Sequence, residues 1–185
     1  MNATLGDMKR AGGMNKGLVP VFQAFKGFSS WHRLPTPEEV RSMTYAALAL
    51  GARGATFYPY YSSNTNNLSI ASTRESFKSF ARLALELSSL TSHLVERDAK
   101  VQPKVKLPEG AKAQVVRLLK DGPDGRLLIA VNVSEEAADA AFDLGGGSST
   151  WEAVSEKREV CAERGVLRDR FGARETHVYR ERFVK

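Results

Sequence analysis

The hydrophobic pattern of the chain changes character near residue 100. In the first half, LVPVFQAF (residues 18–25) and GATFYPYY (residues 54–61) are nearly continuous apolar runs of the kind seen in strands covered on both faces. Between them, apolar residues recur every three or four positions, which predicts an amphipathic helix with Val40, Met43, Ala47 and Leu50 on its inner face. The order strand, helix, strand predicts a βαβ unit with two parallel strands.

Two helix starts are marked by polar residues. Thr36-Pro37-Glu38-Glu39 has the form of a capping box with proline at the first helical position, and Gly51 is placed to end that helix. Ser72-Thr73-Arg74-Glu75 repeats the box and predicts a second helix that runs to about residue 97. Seven residues are predicted to form its inner stripe: Phe77, Phe80, Ala81, Ala84, Leu87, Leu94 and Val95.

A stretch with two prolines, VQPKVKLPEG, follows the second helix and is typical of a boundary between domains. Beyond it, short apolar segments such as RLLIAVNV, TWEAV and THVYRERF alternate with turn residues. This spacing predicts a small antiparallel β-sandwich. The fold class is therefore predicted as α/β plus all-β, with βα units in residues 1–100 and the sandwich in residues 101–185.

Polar and aromatic residues follow both predicted parallel strands. In parallel α/β folds, the loops at the carboxyl ends of the strands form the site, because helices cover the sides of the sheet. The rule selects Gln23, Phe25, Trp31, His32, Tyr58, Tyr60, Tyr61, Asn64 and Asn66. Aromatic faces beside amide and hydroxyl groups suit a sugar. The alternatives are that the tyrosines pack under the following helix, and that His32 simply faces solvent.

The sequence shows no catalytic or metal-binding pattern. Glycoside hydrolysis usually needs two carboxylates roughly 5 to 9.5 Å apart, but the acidic residues of the first half fall at helix starts or along helices. Gln23 cannot ionise, so it can form hydrogen bonds without acting as nucleophile or base. No histidine pair has metal-ligand spacing, and the single cysteine, Cys161, is expected to be a buried or half-buried inert thiol. We assign no catalytic residue, metal or cofactor.

The charge distribution limits the classes of partner. The net charge is +6, with 12 basic against 7 acidic residues through residue 100 and 15 against 14 in the remainder. The basic residues are scattered, whereas nucleic-acid-binding proteins concentrate them on one face. No apolar run approaches the ~20 residues needed to cross a bilayer. Neither a nucleic acid nor a membrane is therefore expected as a partner.

Two stretches carry a family resemblance. PVFQAF, an aromatic loop and RLPTPEEVRSMTYAALALGARGATFYPYY resemble the last βα units of TIM barrels of the glycoside hydrolase type. VNVSEEAADAAFDL, EKREV and DRFGARETHVYR resemble the small β-sandwich that commonly follows such barrels. The resemblance covers roughly residues 18 to 182. It implies a partial (β/α)8 barrel, reduced to two parallel strands and their helices, followed by a small antiparallel β-sandwich.

The resemblance also has implications for function. If the two strands are the seventh and eighth of a barrel, Gln23 lies near the position where many retaining members carry a glutamate nucleophile. The sequence departs from that pattern, and the general acid of the family comes from an earlier strand. We therefore expect a carboxyl-terminal fragment of a glycoside hydrolase-like protein that contacts carbohydrate and is not catalytic alone. Its exposed strand edges would be covered by the rest of the barrel or by a second chain.

A second hypothesis belongs to another class of protein. The chain is then a complete, non-catalytic carbohydrate-binding or protein-interaction module that uses the aromatic rim or the sandwich. An upstream reading frame that encodes further strands and helices would distinguish the two hypotheses.

Overall fold

The structure, a computed structural model, describes residues 17–27, 31–61 and 68–182. Contacts divide the chain into two compact units, with the division between Ser88 and Ser89. Each unit has its own sheet: the first a pair of strands, the second a sheet of eight strands.

The first unit contains the predicted strand, helix, strand order. Its elements are β1 (Val21–Gln23), α1 (Pro37–Ala49), β2 (Thr56–Tyr58), a 3₁₀ turn (Ile70–Ser72) and α2 (Arg74–Ser89). β1 and β2 are parallel, with Val21 opposite Thr56 and Gln23 opposite Tyr58. The parallel pair is confirmed, although both strands are shorter than the apolar runs that predicted them. Their membership of a (β/α)8 barrel stays a prediction.

The start of α1 is a complete capping box. The Thr36 hydroxyl accepts a hydrogen bond from the Glu39 amide at 3.2 Å, and the Thr36 amide donates to the Glu39 carboxylate at 2.9 Å. These two bonds satisfy amides that have no partner inside the helix. Gly51 follows the helix with φ +95°, a left-handed conformation that glycine adopts without a side-chain clash.

The second helix differs from its prediction in start, length and inner face. Thr73 caps α2, because its hydroxyl accepts from the Ser76 amide at 3.0 Å, and the helix ends at Ser89. Leu83 is the residue of α2 that is buried, whereas Phe77 is 48% exposed. The predicted stripe was therefore in part wrong: Phe77 and Ala84 are exposed while Leu83 is buried, because tertiary packing rather than local spacing decides which side of α2 is covered.

The second unit begins with a single helical turn, α3 (Thr91–Leu94), and continues as strands. These are β3 (Lys104–Lys106), β4 (Val115–Lys120), β5 (Leu127–Asn132), β6 (Ala138–Asp143), β7 (Ser149–Ala153), β8 (Arg158–Glu163), β9 (Val166–Phe171) and β10 (Thr176–Arg182). The sheet has the order β3-β6-β9-β8-β7-β10-β5-β4, and all of its pairings are antiparallel. The antiparallel architecture is confirmed, and its division into the two layers of a sandwich stays a prediction.

The sheet is nearly closed on itself. The segment before β3 runs along the outer edge of β4: the Ala99 amide donates to the Leu119 carbonyl at 2.9 Å, and the Gln102 side chain both donates to Leu119 and accepts from it. Arg117 also donates to the Pro103 carbonyl at 2.9 Å. The same segment then pairs with β6 as β3, so it joins the two ends of the sheet. The stretch VQPKVKLPEG, predicted as a plain boundary, therefore contains a strand.

The core of the second unit lies on the inner side of this sheet. Trp151, Phe142, Phe171 and Tyr179 are fully buried there with apolar residues from most of the strands. Cys161 lies on β8 and is exposed, so the expectation of a buried or half-buried thiol was wrong. Its position on β8 explains this, since Ala162 takes the inward-facing place beside it.

Candidate functional site

The predicted rim lies where β1 and β2 end. Because the strands are parallel, their carboxyl ends share one edge, and Gln23 stands directly opposite Tyr58. The ladder continues one step further, as the Ala24 amide donates to the Tyr58 carbonyl at 2.8 Å. The two loops that leave these strands therefore begin side by side.

Three of the predicted aromatic residues form one cluster. The Phe25 ring contacts Trp31 edge-on, with ring centroids 5.1 Å apart, and contacts Tyr58 edge-on at 6.2 Å. Phe25 is half-buried, whereas Trp31 is 45% and Tyr58 62% exposed. Edge-on packing of this kind is favourable and holds the outer rings in fixed orientations. Phe25 thus supports two large aromatic surfaces that remain open to a ligand.

Gln23 fixes the loop that carries Trp31. Its side-chain amide donates to the Phe25 carbonyl at 2.8 Å and to the Arg33 carbonyl at 3.4 Å. The loop therefore folds back across the end of β1. In the structure the Gln23 side chain binds the backbone carbonyls of Phe25 and Arg33, and its contact with saccharide stays a prediction.

The remaining predicted residues lie along the same two loops. His32, Tyr60 and Tyr61 are exposed, the two tyrosines by 62% and 69%. The backbone at Tyr60 is held, because its carbonyl accepts from the Ala71 amide at 2.9 Å and from the Ser69 hydroxyl at 3.1 Å. Asn64 and Asn66 lie outside the described residues. The seven predicted residues Gln23, Phe25, Trp31, His32, Tyr58, Tyr60 and Tyr61 thus lie at one end of the parallel pair, and ring contacts join Phe25, Trp31 and Tyr58.

The carboxylate near this rim is already engaged. Glu39 accepts the Thr36 amide and forms a two-pronged pair with the Arg33 guanidinium, at 2.6 and 2.7 Å. The hydrogen bond to Glu39 and its charge raise the pKa of Arg33 above its ordinary value. The Glu39 carboxylate is therefore occupied by a guanidinium and a backbone amide that together fix the start of α1. In the same unit, Glu86 accepts from Arg41 at 3.0 Å and from the Tyr45 hydroxyl at 2.7 Å.

A cluster of charged residues in the second unit was missed by the sequence analysis. Glu156 contacts His177 Nδ1 at 2.6 Å and Arg158 at 2.8 Å; Arg158 reaches Asp169 at 2.6 Å; and the Tyr179 hydroxyl donates to Asp169 at 2.7 Å. The signal was present in the alternation of β9, where Asp169 shares its face with buried Leu167 and Phe171.

The cluster is internally satisfied. Burial opposes ionisation of Glu156, but the hydrogen bonds and charges of His177 and Arg158 outweigh it, so the pKa of Glu156 lies below its usual range. Burial likewise opposes ionisation of Asp169, and the bonds from Arg158 and Tyr179 lower its pKa. Asp169 on β9 is held by Arg158 on the adjacent strand β8 and by Tyr179 on β10, which is not next to β9 in the sheet, so the cluster ties separate strands together.

The described residues contain no group of three or more histidine, cysteine or acidic side chains arranged to hold a metal ion. In the same part of the chain, no helix is both long and apolar enough to cross a membrane.

Solved glycoside hydrolases have the same fold as this chain over part of their length. The α-amylase of Geobacillus thermoleovorans, in complex with acarbose, matches 98% of this chain at 14% identity with a TM-score of 0.62. A noncanonical maltogenic α-amylase of Thermotoga neapolitana matches 96% of this chain at 12% identity with a TM-score of 0.59. A family 5 glycoside hydrolase of Bacteroides vulgatus matches 96% of this chain at 13% identity with a TM-score of 0.54.

These matches establish the fold, which is that of part of a glycoside hydrolase-type domain. This chain covers 43% to 45% of the three structures, so it spans less than half their length. No family model matches the sequence, and no curated protein matches it.

Proposed function

We propose that this chain is the carboxyl-terminal part of a glycoside hydrolase-like protein. Residues 1–100 supply the last βα units of a (β/α)8 barrel, and residues 101–185 form an accessory β-sandwich. The parallel pair and the antiparallel sheet occur in that order along the chain, and the fold of the solved glycoside hydrolases supports the assignment. Its role is to contact carbohydrate through the rim at the ends of β1 and β2.

One observation carries the binding proposal: the edge-on cluster of Phe25, Trp31 and Tyr58. Open aromatic faces stack on the C–H side of a sugar ring, while the Tyr58 hydroxyl meets sugar hydroxyls. His32, Tyr60 and Tyr61 extend this surface along the same loops. Two neighbouring solved structures contain acarbose or maltose, so α-linked glucose oligomers are the first ligands to test.

Binding is measured by isothermal titration calorimetry of the intact chain with maltotriose and, separately, with cellotriose. Trp31→Ala removes the largest exposed ring of the cluster and should weaken binding at least about tenfold, as expected for a central aromatic contact. Phe77→Ala is the matched control, because Phe77 is 48% exposed on α2 of the same unit and lies off the rim. Equal affinities of the parent and Trp31→Ala would contradict the proposal.

The proposal also states that this chain does not cleave glycosides by itself. The two carboxylates described at α1 and α2, Glu39 and Glu86, are held by arginines, and Gln23 cannot ionise. Purified chain should therefore release no product from aryl glycosides or from the oligosaccharides that it binds. Turnover that a single substitution in this chain abolishes would overturn this part of the proposal.

The parallel pair needs a partner along its side. Within the described residues β1 pairs only with β2, and Val21 on β1 is 69% exposed. Exposed apolar strand edges associate or bind other chains. The occupant proposed here is the rest of the barrel or a second chain. The isolated chain should bind a hydrophobic dye or elute as an oligomer. A monomer that binds no dye and melts cooperatively would favour the alternative of a complete binding module.

A further inference from the structure

A groove of about 510 Å³ lies on the outer face of the second unit, across β3, β6 and β9. Strand register explains its shape. Lys106 on β3 stands opposite Ala141 on β6, and Ala141 stands opposite Arg168 on β9. A small residue between two long cationic ones leaves a depression with Ala141 at its floor. Leu107 and Pro108 complete the lining beside Lys106; Leu107 packs against the core and Pro108 is exposed.

The groove carries an excess of positive charge. Among the described residues, neither Lys106 nor Arg168 has a hydrogen-bond or ion-pair partner. The acidic residues of the lining are both paired: Asp139 lies 3.8 Å from Arg170, and Asp169 is bound by Arg158 from behind the groove. The two unpaired cations therefore set the local field, since each lining carboxylate is offset by an arginine.

We propose that this groove binds a ligand that carries an oxyanion: a carboxylate, sulfate or phosphate. The backbones of β3 and β9 lie two strand spacings apart, roughly 10 Å. Long side chains can converge over that distance on an anion above Ala141. The Arg168 guanidinium would contact two oxygens at once, and the Lys106 ammonium would act as a point charge. The exposed Pro108 offers an apolar contact for the body to which the anion is attached.

The proposal predicts a different ligand class from that of the aromatic rim. The groove is lined by no aromatic residue and by three cations, whereas the rim is aromatic and carries the exposed His32. A neutral oligosaccharide should therefore bind at the rim alone. This inference does not depend on the proposed function of the first unit.

The test titrates the intact chain with inorganic phosphate and, separately, with trigalacturonate, while backbone amide shifts are followed by NMR. Shifts should concentrate on β3, β6 and β9. Lys106→Gln and Arg168→Gln should each weaken binding roughly tenfold, the effect of losing one charge-assisted contact. Asp139→Asn removes a lining anion and should tighten binding. Higher salt should weaken binding, because the contacts are electrostatic.

Lys104→Gln is the matched control. It removes the same charge from the same strand and the same face, two residues from Lys106, but Lys104 does not line the groove. Binding of both probes with the expected losses supports a general oxyanion site, and binding of one probe alone supports that source of the anion. The proposal is overturned if neither probe binds at tens of millimolar, or if Lys104→Gln weakens binding as much as Lys106→Gln.

Discussion

Asp169 accepts two short hydrogen bonds, from Arg158 and Tyr179, on the inner face of a strand whose neighbouring arginines face solvent. In the segment Arg168-Asp169-Arg170, the period of two along a strand decides which charge is buried. The outward arginines line the groove, while the inward aspartate joins three strands through its partners. One alternation of residues thus gives β9 two separate roles.

The carboxylates of the second unit should make its free energy of unfolding fall at acidic pH. The pKa values of Glu156, Asp169, Glu152 and Glu181 are all lowered in the folded state. The unfolded chain takes up these protons at about pH 4, and the native state takes them up only at lower pH. Their stabilisation is therefore present above about pH 4.5 and is lost as the pH falls further. Urea unfolding from pH 7 to pH 3 measures this loss.

Asp169→Asn should lower the free energy of unfolding at pH 7 by about 1.5–3 kcal/mol, since charge-assisted hydrogen bonds are lost. It should also make the acid dependence shallower. Glu163→Gln is the control, because Glu163 is exposed on the neighbouring strand β8 and should change little. An unchanged acid profile in Asp169→Asn would show that this carboxylate does not contribute to the effect.

At the scale of elements, α1 shows how local sequence sets a boundary. Thr36 and Glu39 satisfy each other's backbone amides, and Arg33 holds the same carboxylate from the loop side. The start of the helix is therefore linked to the loop that carries Trp31. Because the Gln23 amide also reaches the Arg33 carbonyl, the cap and the rim share one set of contacts.

Thr36→Ala should destabilise α1 by about 1 kcal/mol, because the Glu39 amide loses its acceptor. Amide hydrogen exchange should accelerate in the first turn of the helix and leave α2 unaffected. Ser88→Ala is the comparison, since Ser88 is exposed in α2, where alanine is a good helix former. If exchange in the first turn of α1 is the same in both variants, the cap is not what holds that turn.

Some elements are set by local sequence signals and others by tertiary packing. The α1 boundaries and the parallel pair followed from local signals: a capping box, a glycine after the helix and two apolar runs. The face of α2 did not, because Leu83 and Phe77 are equally apolar and tertiary packing alone decides which is buried. β3 was missed because Lys104 and Lys106 pair with β6 through their backbone, whatever their side chains are.

The parallel pairing of β1 and β2 places the loops after them at one edge, as the rule for parallel strands predicts, while the role of these loops as a binding site stays a prediction. The rule could not show that Phe25 supports Trp31 and Tyr58, or that Gln23 binds the backbone of Arg33, because both depend on how the loop folds back. The charge cluster around Asp169 is joined mainly by contacts between residues 10 to 21 positions apart along the chain, and so left only a weak local trace.

At the scale of the whole molecule, the position of residues 97–103 bears on where the second unit begins. Ala99 and Gln102 bond to Leu119, and the buried Lys120 ammonium pairs with Asp98 at 2.8 Å. Lys120 is 3% exposed, so this ion pair supplies a partner for a buried polar group. Asp98 and Ala99, which precede residue 101, therefore stabilise β4 as though they were part of the sheet.

Residues 89–185 produced alone should fold, and residues 101–185 should be less stable by roughly 1–3 kcal/mol, because hydrogen bonds at the edge of β4 are lost. Asp98→Asn within residues 89–185 should fall between the two. The midpoints of thermal unfolding, followed by circular dichroism, give this order. Equal midpoints for the two segments would place the start of the folding unit at residue 101, as the sequence alone predicted.

The single segment that lines β4 and then pairs with β6 also affects how molecules of this protein associate with one another. Amyloid-like growth needs a row of free backbone groups on which an incoming strand can lay itself down. Here the segment before β3 occupies such a row along the outer edge of β4, and β3 itself occupies the row beside β6. Aggregation of this protein in concentrated solution should accordingly begin at the exposed edges of the β1 and β2 pair and not at the eight-stranded sheet.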